Sequence, residues 1–181
     1  MKTLYTGGAH GSDLIFELVA KRNKFKIFSY SFPSHNTKSS NSIILTPNQL
    51  KEGFKHIQKA NLTLNRNLNQ TSSYVKNLFC RNYFQIKNTE AVFVIGNLQT
   101  ENQVFGGTGW AVQMAIDNNK PVYLFEQNDN QWYYYDYETD KFEIYEEIPT
   151  LTERFTGIGT RRITDNGIKA IESLFNKKEK I

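Results

Sequence analysis

The sequence predicts one α/β domain, a mostly parallel sheet flanked by helices, over residues 1–181. Three observations carry this. Apolar runs of strand length alternate with stretches of helical periodicity. Glycine clusters stand where strands give way to helices: Gly7, Gly8 and Gly11, then Gly106, Gly107 and Gly109, then Gly157 and Gly159. Residues 91–95 are apolar throughout, as a central parallel strand covered on both faces must be.

Taken in order, residues 3–6 read as a strand running into the first glycine loop. The helix that follows carries Leu14, Ile15, Leu18 and Val19 at helical spacing, and a second strand spans about 25–32. Residues 34–45, rich in Ser and Asn, read as a loop. Thr46 and Pro47 then give an N-cap and first-turn signal for a helix over 47–64. A further helix over 72–87 leads into the apolar strand, and residues 97–105 read as a polar loop. Gly106 opens a helix through about 118, and 121–125 supply another strand. Residues 132–147 read as an exposed hairpin turning at Glu138-Thr139-Asp140-Lys141. The last unit is a strand at 154–156, a glycine loop over 157–162, and a helix capped by Thr164. These repeated β-loop-α units make the predicted fold Rossmann-like, with the hairpin near 131–147 as an addition.

Composition narrows the function. With 39% hydrophobic and 22% charged residues, 13 Phe and 10 Tyr, the chain is not of the disordered class. The net charge of +4 is modest; Lys177, Lys178 and Lys180 form a short basic cluster, read as a solvated end. The single cysteine, Cys80, is expected as a buried thiol, with no disulfide, metal site or cofactor implied. No apolar run approaches the ~20 residues needed to span a bilayer. A cytoplasmic protein without membrane contact is expected.

Where a parallel strand meets a helix, free backbone N–H groups and the helix dipole converge on an anion. The three glycine loops would share one sheet edge and close around a single pocket. The expected ligand-binding residues are Gly7, Gly8, Ala9, Ser12, Asp13, Gly106, Gly107, Thr108, Gly109, Gly157, Gly159, Thr160 and Arg161. Ser12 and Asp13 equally suit helix capping. Arg81, with Asn82 beside it, could fork a phosphate or simply pair with a nearby acid. His10 is read as a tolerant loop residue and Trp110 as core. The strip Trp132-Tyr133-Tyr134-Tyr135 with Tyr137 suits hairpin packing or a homo-oligomer contact better than base stacking, since few basic residues interleave it.

Over most of its length the chain resembles the SLOG superfamily, the Rossmann-like group of Lonely-guy phosphoribohydrolases, DNA-processing-protein-A domains and molybdenum-cofactor carriers. Thr6-Gly7-Gly8-Ala9-His10-Gly11-Ser12-Asp13 looks like its first loop and Gly106-Gly107-Thr108-Gly109 like its second. Phe155-Thr156-Gly157-Ile158-Gly159-Thr160-Arg161 looks like the unit that usually comes first, so the order resembles the circularly permuted arrangements of phage and virus sequences. The resemblance implies a pocket for a nucleotide or NAD-derived phosphorylated ligand. In the hydrolases an Arg and a Glu serve N-glycosidic cleavage. Arg81 matches the Arg, but Gln113 stands at the Glu position, Trp110 at a Thr and Phe105 at a Pro. An amide cannot ionise, so Gln113 implies ribose hydrogen bonding rather than catalysis. A sensor, carrier or sequestering module is the leading expectation. A nucleotide N-glycosidase with Asp13 or Glu101 as its carboxylate and Arg81 as partner is the alternative; single-stranded nucleic-acid binding is a third.

Overall fold

Helix starts follow local chemistry. The computed structural model describes residues 1–40 and 42–177. Thr46 caps α2 (Pro47–Leu64) with a full capping box: its hydroxyl accepts from the Gln49 amide at 3.3 Å while the Gln49 side chain accepts from the Thr46 amide at 2.8 Å. Ser72 caps α3 (Ser73–Lys87) and Thr164 caps α5 (Asp165–Asn176) in the same way through one hydroxyl each. The remaining helices, α1 (Ser12–Arg22) and α4 (Gly106–Asp117), have no side-chain cap.

The strands are β1 (Thr3–Thr6), β2 (Lys26–Ser31), β3 (Ser42–Ile44), β4 (Ala91–Gly96), β5 (Leu98–Thr100), β6 (Gln103–Val104), β7 (Val122–Glu126), β8 (Gln131–Asp136), β9 (Lys141–Ile144) and β10 (Arg154–Gly159). Eight form one sheet in the order β3-β2-β1-β10-β4-β7-β8-β9. All neighbours from β3 to β7 are parallel; β8 and β9 add antiparallel at one edge. The last strand in sequence thus sits in the middle, with Phe155 beside Leu4 on one side and Ala91 on the other.

Each face has its own core. Leu4, Phe16, Phe93, Phe155 and Ile171 pack together on the side of α1 and α5. Tyr5, Ile57, Phe84, Val94, Trp110 and Leu124 pack on the side of α2, α3 and α4. Since β1 leads outward to β2 and β4 leads the opposite way to β7, the strand order reverses around β10. Ligands of open α/β sheets collect at such a reversal, beyond the carboxyl ends of the strands.

Several local expectations are corrected. The hairpin does not stand apart: β8 pairs with β7, and Trp132 and Phe142 are buried. Residues 34–45 include β3, an edge strand too short to show periodicity, and 97–105 fold into the β5–β6 ribbon. On α1 the buried side is Phe16, Glu17, Val19 and Ala20, while Leu18 faces outward. Strand β10 continues through Gly157 to Gly159, so Gly157 is a strand residue; a methyl there would overlap the Phe16 ring. Lys177 is held by the Ile148 carbonyl and by Glu147 at 3.4 Å rather than being freely solvated. Lys178 and Lys180 lie outside the described residues. Cys80 is buried as expected, and burial pushes its thiol up to about 11. Among the described residues no helix is long and apolar enough to cross a membrane.

Candidate functional site

At the carboxyl ends of β1 and β10, beneath α3 and the start of α4, lies an open cleft of about 730 Å³. Its walls differ in chemistry. Val75, Leu78 and Phe79 project from one face of α3, and with Phe105, Ala111 and Ile158 they form an apolar wall. The cleft is also lined by His10, Thr160, Arg161 and Arg162. Asp13 lies in the floor and is its single acid among the described residues.

The loop before α1 is closed on itself. Arg81 donates from Nη1 to the Gly7 carbonyl, and a side chain at Gly7 would collide with the guanidinium. Gly8, at φ +58°, is packed under Thr37 and Ser39, and its carbonyl accepts from the Lys38 amide at 3.1 Å. Gly11, at φ +90°, lies against the backbone of Thr160 and Arg161, where a methyl would stand 2.5 Å from the Thr160 oxygen. Ser12, fully buried, gives both its amide (3.1 Å) and its hydroxyl (2.9 Å) to the Thr160 carbonyl, and the Leu14 amide goes to Ala9. The Ser12 and Leu14 amides at this helix start are therefore already bonded within the protein. Its first turn also carries its own acid, Asp13.

The loop before α4 is the opposite case. No side chain caps it, its first turn holds no acid, and the space around Gly106, at φ +68°, contains no atom within 4 Å of an added methyl. Arg66 supports it from below, donating to the Gly106 carbonyl at 2.6 Å, the Val104 carbonyl at 2.8 Å and Gln99 at 2.9 Å. In a trans peptide the N–H points opposite the carbonyl, so the Gly107 amide is turned away from the carbonyl that Arg66 holds. Gly109 is needed because any side chain would strike the Val104 carbonyl and the Arg66 guanidinium. Among the described residues no group outside the helix takes the first amides of α4, and the helix dipole backs them.

Arg81 and Asp13 form the floor. Arg81 is 4% exposed, its Nη1 3.8 Å from Asp13 Oδ2 and its Nη2 3.0 Å from Asn82 Oδ1; Nε has no partner. Burial raises the Asp13 carboxyl above the usual range, against the opposing pull of Arg81 and the Gly7 and Gly159 backbone. The fully buried Gln85 amide faces Asp13 without closing a hydrogen bond of good geometry. His35 stacks on Phe32 with ring centroids 5.0 Å apart, and its Nδ1 meets Ser31 Oγ at 2.8 Å. Burial, then the charges of Arg81 and Arg161, lower it to about 4.

Of the expected residues, Ala9, Asp13, Arg81, Asn82, Gly106, Gly107, Thr108, Gly159, Thr160 and Arg161 meet at the cleft. Gly7, Gly8, Ser12, Gly109 and Gly157 serve packing behind it, each filling space that a neighbour needs. Gln113 is turned away: its amide donates to Asp117 Oδ1 at 2.9 Å, one turn further along α4. Glu101 is on the exposed turn of the β5–β6 ribbon, its carbonyl tied to the Phe142 amide, outside the cleft lining. Trp110 is core, stacked on Phe79 at 4.9 Å. Arg66, His35, Arg162 and the apolar wall were not foreseen. Arg162 could have been found by the argument that singled out Arg161; Arg66 and His35 carry no local signal. Among the described residues no group of three or more His, Cys, Asp or Glu could hold a metal ion. Compared with known proteins, the chain matches no family model, no curated protein and no solved structure.

Proposed function

We propose that the chain is a cytosolic binding module that captures a nucleotide or NAD-derived phosphorylated metabolite in this cleft, as a sensor, carrier or sequestering protein. The single observation that carries the reading is the mixed lining of the cleft, basic and apolar. Free amides at the start of α4, together with Arg161 and Arg162, suit a phosphate, while Phe105, Phe79, Leu78 and Val75 suit a flat apolar base. Asn82 and Asp13, which line the cleft, suit ribose hydroxyls. The SLOG resemblance points the same way, and the position of β10 and α5, last in sequence and central in the sheet, fits a permuted member of that group. The test is calorimetry against AMP, ADP-ribose, cyclic nucleotides and NAD, with mass spectrometry of ligand co-purified with the protein. Saturable binding of one of these supports the reading; no binding to any phosphorylated ligand overturns it.

One observation favours a second reading. A carboxyl raised by burial beside a buried Arg is a candidate acid–base group, so a nucleotide N-glycosidase would use Asp13 and Arg81, not Glu101. Water would add across the bond between ribose and base, releasing free base. That activity should vanish in Asp13→Asn while nucleotide binding persists; a flat assay of the native protein over nucleoside monophosphates removes it.

A further inference from the structure

On the outer side of α1, away from the cleft, the helical pattern is inverted. Leu18 is 44% exposed, whereas Glu17 is only 9% exposed, its carboxyl turned toward Ser29, Ser39 and Thr6. Both border an open groove of about 520 Å³ between α1, the start of β2 and the segment 38–40. Its base is apolar, from Leu14, Leu18, Phe25 and Ile27, and around it stand Lys21, Lys24 and Lys38. None of these three ammonium groups makes an ion pair or hydrogen bond among the described residues. The far wall is fixed: the Lys38 amide is bonded to the Gly8 carbonyl at 3.1 Å, and the Ser39 amide to Thr37 Oγ1 at 3.1 Å.

Three unpaired cations around an apolar base repel one another unless an anion joins them, and exposed leucine beside them favours an anion with an apolar body. We propose that this groove is a second binding site, separate from the cleft, for a small amphipathic anion. Its phosphate or carboxylate head lies among Lys21, Lys24 and Lys38, and its apolar body rests on Leu14, Leu18, Phe25 and Ile27.

Residue-resolved NMR of the full chain with three probes tests this: phenyl phosphate, inorganic phosphate and benzyl alcohol. Phenyl phosphate should shift the amides of 14–24 and 38–40 and bind more tightly than either part alone. Lys21→Glu and Leu18→Glu, both at exposed positions, should each weaken that binding about tenfold or more, and Arg161→Ala should leave it unchanged, which separates this site from the cleft. Shifts confined to residues 9–13, 105–111 and 158–162 would overturn the proposal. So would equal binding of inorganic and phenyl phosphate with both abolished by sodium chloride, which is counterion screening alone.

Discussion

In the loop before α1 every glycine is closed in by a neighbour: Gly7 by Arg81, Gly8 by Thr37 and Ser39, Gly11 by the backbone of Thr160 and Arg161. In the loop before α4, Gly109 is closed in by Val104 and Arg66, but Gly106 meets nothing within 4 Å and Gly107 only Phe79 at 3.6 Å. The same residue type therefore does different work on the two sides of one cleft. In the first loop, absent side chains let a buried guanidinium and a crossing strand end approach, and the Ser12 and Leu14 amides are used internally. In the second, the absent side chains leave room that the protein does not fill. A glycine-rich turn becomes an anion site only when its amides remain unbonded and its space remains empty.

Gly11→Ala is the strongest way to break this comparison. The methyl would need a φ of +90° and a place 2.5 Å from Thr160 and Arg161. Left-handed strain and overpacking together should cost about 3–5 kcal/mol, read as a lowered denaturant midpoint. If Gly11→Ala keeps native stability, the first loop is not held by packing and the contrast with the second fails.

Arg161→Ala tests the cleft from its basic wall. The side chain is exposed, so the variant should fold normally. Its affinity for the nucleotide found by calorimetry should fall by about 1.5–3 kcal/mol, the value of a charge-assisted hydrogen bond. Unchanged affinity would remove Arg161 from the site and leave Arg162 to be tested in its place.

The smaller electrostatic effect is at His35. Its folded value of about 4 lies below the ordinary 6.5, chiefly through burial, so the unfolded chain binds the extra proton in between. Its contribution to stability is complete above 6.5 and is lost as pH falls toward 4. A phosphate beside Arg161 would offset its charge and raise His35, and by linkage the protein should bind that anion more tightly as the pH falls through this range. An NMR titration of the His35 ring with and without ligand checks both signs. An ordinary value in the free protein, or one unmoved by ligand, contradicts them.

Much of this architecture was legible from residues alone. Thr46-Pro47 and Thr164 announced their helices because capping is decided within four residues, and the apolar run at 91–95 announced a strand buried on both faces. The cleft's location followed from where the glycines fell. What stayed hidden depends on distant partners. Whether Gly7 serves a ligand or Arg81 is set across 74 positions of sequence, and the orientation of Gln113 is set by Asp117, since both turn on three-dimensional packing rather than spacing. β3 was missed because three residues on an edge show no alternation, and the buried side of α1 because Gly157 makes room for Phe16 instead of the leucines beside it.

The least disruptive substitution is also the sharpest test of the second loop. At Gly107 an added methyl meets only the Phe79 ring at 3.6 Å, an ordinary contact, and no left-handed backbone is required there. The position is within the first turn of α4, where alanine is a better helix former than glycine. Stability of Gly107→Ala should therefore stay within about 0.5 kcal/mol of the native protein. Phe79 lines the cleft, so the methyl enters the space left for the ligand and holds it off the Gly107 amide. Loss of that one backbone hydrogen bond should weaken nucleotide binding by about 1 kcal/mol. Gly7→Ala should do the reverse, displacing Arg81 and lowering stability before any effect on the α4 amides. If Gly107→Ala unfolds the protein, or binds nucleotide as tightly as the native chain, the open loop is not where the phosphate lies.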